Sequence, residues 1–256
     1  MKRLLLPALL FTTLPACTAA PADTLPAAAP TPTPASTPAP TAAPAPADAL
    51  TPEEKIGQLF IIRPDALDLT LPQETINDAK ADGVTMLTDA MRETLQAYHV
   101  GGICQFGKNI TDPEQLAQFN ADLQAASRTP LFIAVDEEGG AVARLANHPA
   151  FDLPQYESAA AVGASGDPAD ACAMGQTIGA YLKEYGFNMD FAPDADVNTN
   201  PDNPIIGTRA FSSDAATAAE MAAAAADGLR TGASCRRSSI SPATVIPLRT
   251  ATPRWP

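Results

Sequence analysis

The 256 residues include 29 aspartates and glutamates against 16 lysines and arginines, for a formal net charge of −13. That balance excludes nucleic acid as a partner, because a phosphate backbone is bound by clustered cations. Cysteines at 17, 104, 172 and 235 have no paired spacing, so no disulfide framework is expected. His99 and His148 stand far apart without Cys or His partners at ligand spacing, so no zinc site is expected either.

The chain opens with "MKRLLLPALLFTTLPAC": Lys2 and Arg3, an apolar run from Leu4 to Leu14, then small residues before Cys17. This is the build of a secretory signal, and it is too short for a permanent membrane span. "LPAC" at Leu14 to Cys17 resembles a bacterial lipobox, whose cysteine is lipidated and becomes the new N-terminus, although Pro15 is not the usual residue there. Residues 1–17 therefore read as a signal with lipobox, and the protein as extracytoplasmic and lipid-anchored to the membrane through Cys17. An ordinary cleaved signal, giving a secreted protein, is the alternative. Residues 18–50 are made almost entirely of Pro, Ala and Thr. Such a composition buries no core and favours extended conformations, which predicts a disordered tether.

From residue 51 the pattern changes. Thr51, Pro52 and Glu54 form a capping-box sequence that predicts a helix running into the apolar "LFII", read as the first strand. Residues 64–100 are ambiguous, apart from the helical "DAMRETLQAY". "HVGGICQF" reads as a strand, "DPEQLAQFNADLQAAS" as an amphipathic helix with Leu116, Phe119 and Leu123 on one face, and "PLFIAVDEEGG" as a buried strand ending in acids and glycines. "DPADACAMGQTIGAYLKEYGF" is a helix, "NMDFAPDADVN" a strand and loop, and "DAATAAEMAAAAADGLR" a helix. Alternation of strand and helix without hairpin signals predicts a parallel α/β architecture with its chemistry at the strand ends. No phosphate-cradling glycine motif follows a strand, which favours a barrel over a nucleotide-binding sheet.

"AVDEEGG" puts Asp136, Glu137 and Glu138 at the mouth of a buried strand, before two glycines that allow a ligand to approach the backbone. "NMDFAPDADVN" repeats the arrangement one strand later with Asp190, Asp194 and Asp196, and "NTNPDNPIIGTRAFS" supplies Arg209. Carboxylates and guanidinium groups converging from neighbouring strand ends suit a sugar, whose hydroxyls both donate and accept. Calcium held by the same acids is the competing reading at this level.

The motifs "KIGQLF", "VGGICQFGKNI", "IAVDEEGG", "NMDFAPDADVNTNP" and "IGTRAFS", in this order, resemble the N-terminal barrel of glycoside hydrolase family 3. They are most similar to its β-N-acetylhexosaminidase branch. The resemblance covers about 51–232 and implies the N-terminal part of a (β/α)8 TIM-type barrel, here incomplete. It implies an enzyme that hydrolyses terminal β-linked N-acetylglucosamine in cell-wall glycans with retention, without cofactor or metal. It further implies that Asp136 holds sugar hydroxyls and that Arg144, in "AVARL", and Arg209, in "GTRAF", contact the sugar. Ala141 departs from the family, which usually has arginine directly after "EEGG". The branch continues with a segment like "KHFPGHGDT" followed by "DSH", whose last histidine, oriented by its Asp, is acid and base, and with a later nucleophilic Asp. Retaining hydrolysis needs both a nucleophile and a proton donor. None of these segments occurs in the 256 residues, so no catalytic residue is assigned. This chain is expected to be inactive, and a noncatalytic sugar-binding surface lipoprotein is the alternative function.

Residues 233–256 have no periodic apolar face and no family resemblance. Codons chosen for "SISPATVIPLRTATP", Ser239 to Pro253, and read out of register by two bases, translate as "HFPGHGDT" and then "ATDSHA"; "ASCRRSS" likewise accommodates "VLPAVK" before the histidine. The tail is therefore expected to be out of frame from near Gly232, and Cys235 and Trp255 to carry no functional weight.

Overall fold

A computed structural model describes residues 49–231. The signal, Cys17, nearly all of the tether and the tail from 232 onward lie outside the described residues. Among those described, no helix is long and apolar enough to cross a membrane.

Strands β1 (Ile61–Ile62), β2 (Gly102–Cys104), β3 (Phe132–Val135) and β6 (Met189–Asp190) form one parallel sheet in the order β1-β2-β3-β6. Ile103 stands opposite Ile62 and Ile133, and Val135 opposite Asp190. Long helices follow the strands: α4 (Asp89–Tyr98) after β1, α5 (Pro113–Ala126) after β2, α7 (Pro168–Glu184) after β3 and α8 (Ala215–Thr231) after β6. This is the α/β, barrel-type architecture expected from the alternation of elements. Parallel strands joined by helices bury the sheet face that meets the helices. Ile103, Ile133 and Val135 accordingly have no exposed surface and pack with Met91, Leu116, Phe119, Leu123 and Ile178. On the opposite face Phe132 is 54% exposed and Phe191 44%.

Local sequence explains where the helices begin. In α1 (Pro52–Gly57) the capping box is formed, with the Glu54 amide donating to Thr51 Oγ1 at 3.3 Å and the Thr51 amide to Glu54 Oε2 at 2.7 Å. Asp112 caps α5 by accepting from the Gln115 amide at 2.9 Å, with Pro113 at the first helical position. The ambiguous stretch after β1 holds α2 (Pro64–Leu67) and α3 (Gln73–Asn77) before α4. Its anchors are distant in sequence. Lys108, beyond β2, donates to the carbonyls of Thr75 at 2.9 Å and Asp78 at 3.1 Å and lies 3.5 Å from the buried Asp65. Asn109 adds a bond to Asp65 at 3.0 Å.

Two expectations are corrected. A hairpin is present after β3: β4 (Glu137–Gly139) and β5 (Val142–Ala143) pair antiparallel with an irregular register. The run "EEGGAVA" lacks the alternating apolar pattern of a surface hairpin because β4 is buried at all three positions. Cys172 is disulfide-bonded, contrary to the expectation of no disulfides. Cys104 is free and buried.

Helices α7 and α8 cross at close range through small residues. A Cβ at Gly175 would collide with the Ala225 carbonyl, and one at Gly228 with the Cys172 carbonyl. Ala171, Met221, Ala222 and Ala225 fill this second core with Phe211. Gly107, in contrast, has open space around its Cα. Gly175→Ala is expected to lower stability by about 1–3 kcal/mol by forcing the helices apart. Gly107→Ala should change it by no more than about 0.5 kcal/mol. Urea unfolding followed by circular dichroism checks both.

Candidate functional site

The functional candidates gather where the sheet ends. β3 delivers Asp136, which is half-buried and accepts from Arg144 at 3.0 Å between Nη2 and Oδ2. Two residues on, Glu138 forms a two-pronged pair with Arg209, Nε to Oε2 at 2.7 Å and Nη2 to Oε1 at 2.6 Å. Arg209 also lies 3.3 Å from Asp194 Oδ2 and donates to the Ile205 carbonyl. The hydrogen bonds and charge of Glu138 raise the Arg209 pKa above its ordinary value. Planar, bidentate geometry of this kind fixes orientation as well as charge.

Between these two pairs, Glu137 turns the other way and has no exposed surface. It accepts from the backbone amides of Arg144, Leu145 and Ala146, the last two at 2.9 Å, and from the Tyr181 hydroxyl at 2.9 Å. Burial, then the Glu137 charge, push the Tyr181 pKa well above its ordinary value, so the hydroxyl stays a donor. The three adjacent acids thus do not act together. Asp136 and Glu138 face arginines, while Glu137 ties the hairpin to α7.

Asp190, at the end of β6, accepts from the Glu137 amide through Oδ1 at 3.0 Å. Its Oδ2 is closed to solvent and has no hydrogen-bond partner. Burial pushes its pKa up to about 8, the bond from the Glu137 amide opposes this, and the charges of Glu137, Asp136 and Glu138 add to the rise. Asp196 is exposed, and its amide donates to Asp194 Oδ1 at 2.8 Å, which closes the loop locally. Among the described residues, no three His, Cys, Asp or Glu side chains are grouped so as to hold a metal ion, and the competing calcium reading loses its ligand set.

The glycines of "EEGG" also differ from expectation. Both have positive φ, 81° at Gly139 and 67° at Gly140. A Cβ would stand 2.9 Å from Met174 Cε in the first case and 2.9 Å from Ser158 Cα in the second. They serve a tight turn packed against its own protein, not a ligand's approach. Ala141 sits exposed after that turn.

Beside Asp136 is a cavity of about 310 Å³ lined by Ile61, Ile62, Arg63, Cys104, Phe106, Asp136 and Phe191, all at or just beyond strand ends. Burial, then the Asp136 charge, raise the Cys104 pKa to about 12, so this wall is a neutral thiol. Arg63 and Phe106 were not singled out from the sequence. Their position directly after β1 and β2 was the available signal, and the two are stacked with the guanidinium 5.8 Å from the ring centre. A second cavity, of about 400 Å³, runs along α5 beside Thr85 and Met86 and contains none of the candidate residues. Buried side-chain atoms without partners are rare in folded proteins. Arg144 Nε, Asp190 Oδ2 and Asn198 Oδ1 are such atoms, and all three belong to the segments that follow β3 and β6 or end them.

The glycosyl hydrolase family 3 N-terminal domain matches residues 51–242, past the position 232 where the sequence motifs stop. The chain belongs to this family. It is 31% identical over 195 residues to the β-hexosaminidase LpqI of Mycobacterium tuberculosis, covering 71% of this chain and 40% of that one. A family 3 β-N-acetylglucosaminidase from Paenibacillus superposes with a TM-score of 0.59 at 33% identity, covering 72% of this chain and 32% of the other. NagZ from Neisseria gonorrhoeae, solved with N-trifluoroacetyl-D-glucosamine, gives 0.52 at 29% identity, over 58% and 44%. The chain therefore spans less than half the length of each.

The Glu137 network makes a sharp prediction. In Glu137→Gln an amide NH2 faces N–H donors, and the buried amides left without an acceptor should cost about 3 kcal/mol or more. Tyr181→Phe removes one donor to the carboxylate and should cost about 1.5–3 kcal/mol. Equilibrium unfolding at neutral pH measures both.

Proposed function

We propose that this chain is a sugar-binding protein of β-N-acetylhexosaminidase descent, which recognises the terminal β-linked N-acetylglucosamine of cell-wall glycans. The observation that carries this reading is the pair of carboxylate–guanidinium arms, Asp136–Arg144 and Glu138–Arg209, two residues apart where β3 gives way to β4, with Asp136 lining a cavity. Fixed ionic donors and acceptors with an apolar floor from Phe106 and Phe191 match a ring that carries hydroxyls on its edge and C–H groups on its faces. The N-acetylglucosamine derivative bound by the gonococcal relative supports the same substrate class.

Asp136, Arg144 and Arg209 are assigned to the sugar. The hydrolytic reaction of the branch needs a proton donor and a nucleophile on either side of the bond. The His–Asp dyad and the later Asp that supply them in the family occur nowhere in the 256 residues. On this reading residues 51–231 hold the sugar, and the proton donor and nucleophile are not assigned among them. With Cys17 lipidated, the protein is a surface lipoprotein presented on an extracytoplasmic tether.

Two experiments test this. Calorimetry on the 256-residue chain should detect N-acetylglucosamine binding that Arg209→Ala weakens about tenfold or more, as loss of a bidentate charged contact implies. A chromogenic N-acetylglucosaminide should not be turned over until the frame is restored near Gly232 with the downstream gene sequence; hydrolysis with retention should then appear. Activity from the unaltered chain would show the catalytic groups to be elsewhere. For the anchor, Cys17→Ala expressed in a bacterium should leave the membrane fraction, since anchoring depends on the acyl chains.

A further inference from the structure

We propose that Asp190 is a positioning residue for the sugar-holding face: its Oδ1, bonded to the Glu137 amide, sets the turn from which Asp136 and Glu138 reach their arginines. The proposal rests on the sugar reading above and assigns a role to a group that reading does not use.

The geometry is specific. β3 and β6 pair with Val135 opposite Asp190, so the Asp190 side chain meets the backbone at the position where β3 gives way to β4. The bond it accepts there, 3.0 Å from the Glu137 amide, falls between the two arginine-paired carboxylates in the chain. The side chain thus supplies an acceptor to the backbone just where the sheet stops. Arg144, which holds Asp136, is fixed from the other side, since its own amide donates to Glu137. One acceptor thus governs the direction in which both arms leave the strand.

Electrostatics make the clamp sensitive to protonation. The titratable groups around Asp190 are Asp136 at the end of β3, Glu137 and Glu138 on β4, Tyr181 on α7 and Cys104 on β2, with the cation Arg144 nearby. Arg144 and Arg209 already neutralise Asp136 and Glu138, and Oδ2 of Asp190 has no donor of its own. With a pKa of about 8, the carboxyl is largely protonated at neutral pH. Burial and the neighbouring carboxylates favour the neutral acid, while the bond from the Glu137 amide favours the ionised one, so the two forms hold that amide with different strength. For stability the raised pKa sets the sign: the contribution of a protonated Asp190 is present below about pH 4 and is lost as pH rises to about 8.

The test uses the 256-residue chain, its Asp190→Asn and Asp190→Ala variants, and two readouts. Asparagine keeps an acceptor for the Glu137 amide and does not ionise; alanine removes the acceptor. The Glu137 amide resonance of the wild type should titrate with a midpoint near pH 8, and should be pH-independent in Asp190→Asn. N-acetylglucosamine affinity by calorimetry at neutral pH should be kept in Asp190→Asn, which retains the acceptor. Asp190→Ala should bind about tenfold more weakly at neutral pH, the scale of one lost hydrogen bond. A Glu137 amide that neither titrates nor responds to either substitution overturns the proposal, as does wild-type affinity in Asp190→Ala. If the wild type binds no sugar, the sugar reading has failed, and the amide titration alone decides whether Asp190 sets the turn.

Discussion

A carboxylate sealed from water must have its charge met by donors, and Glu137 obliges the rest of the site to supply them. Three successive amides, from Arg144 to Ala146, turn inward toward it, and Tyr181 reaches it from α7. To meet that demand the chain must fold back as a hairpin immediately after β3, with glycines at 139 and 140 making the return. Successive side chains of an extended segment point to opposite sides. Committing Glu137 to one side therefore turns Asp136 and Glu138 together to the other, where each meets an arginine.

The two outward acids are met by arginines from very different places. Arg144 comes from the same hairpin, eight positions on, and Arg209 from a turn 71 positions away, beyond β6. Parallel strands bring the second within reach, because every connection between them returns to the same end of the sheet. The result is a rigid polar face whose charges are largely paired before any ligand arrives, beside a cavity floored by aromatic rings. Preorganisation of this sort suits recognition of a neutral, hydroxyl-rich ring, since little has to be reordered when it binds.

The family match and this face of paired charges fall on the same stretch of chain. On the proposed reading, holding a sugar depends on groups at the ends of β3 and β6. Breaking a glycosidic bond depends on a proton donor and a nucleophile. The two tasks are separable in the chain because each strand end contributes its own side chains to the common mouth.

Much of the fold was legible in the sequence because its signals are local. Thr51 and Glu54 announce a helix start by their spacing, Leu116, Phe119 and Leu123 mark one helical face, and an apolar run such as "LFIAV" reads as a buried strand. The family motifs singled out Asp136, Arg144 and Arg209, and the structure gives each of them an acid or arginine as partner. What adjacent letters could not reveal is which of "DEE" goes inside, why "GG" follows, or that Asp190 braces the turn. Those outcomes depend on Tyr181, 44 positions from Glu137, and on Asp190, 53 positions from it. The sequence alone determined where helices, strands and acidic strand ends fall, since these follow from periodicity and capping within a few residues. Only the tertiary structure decided which acid is buried, which is paired and which is left protonated, because burial and charge depend on neighbours the chain brings together from far apart.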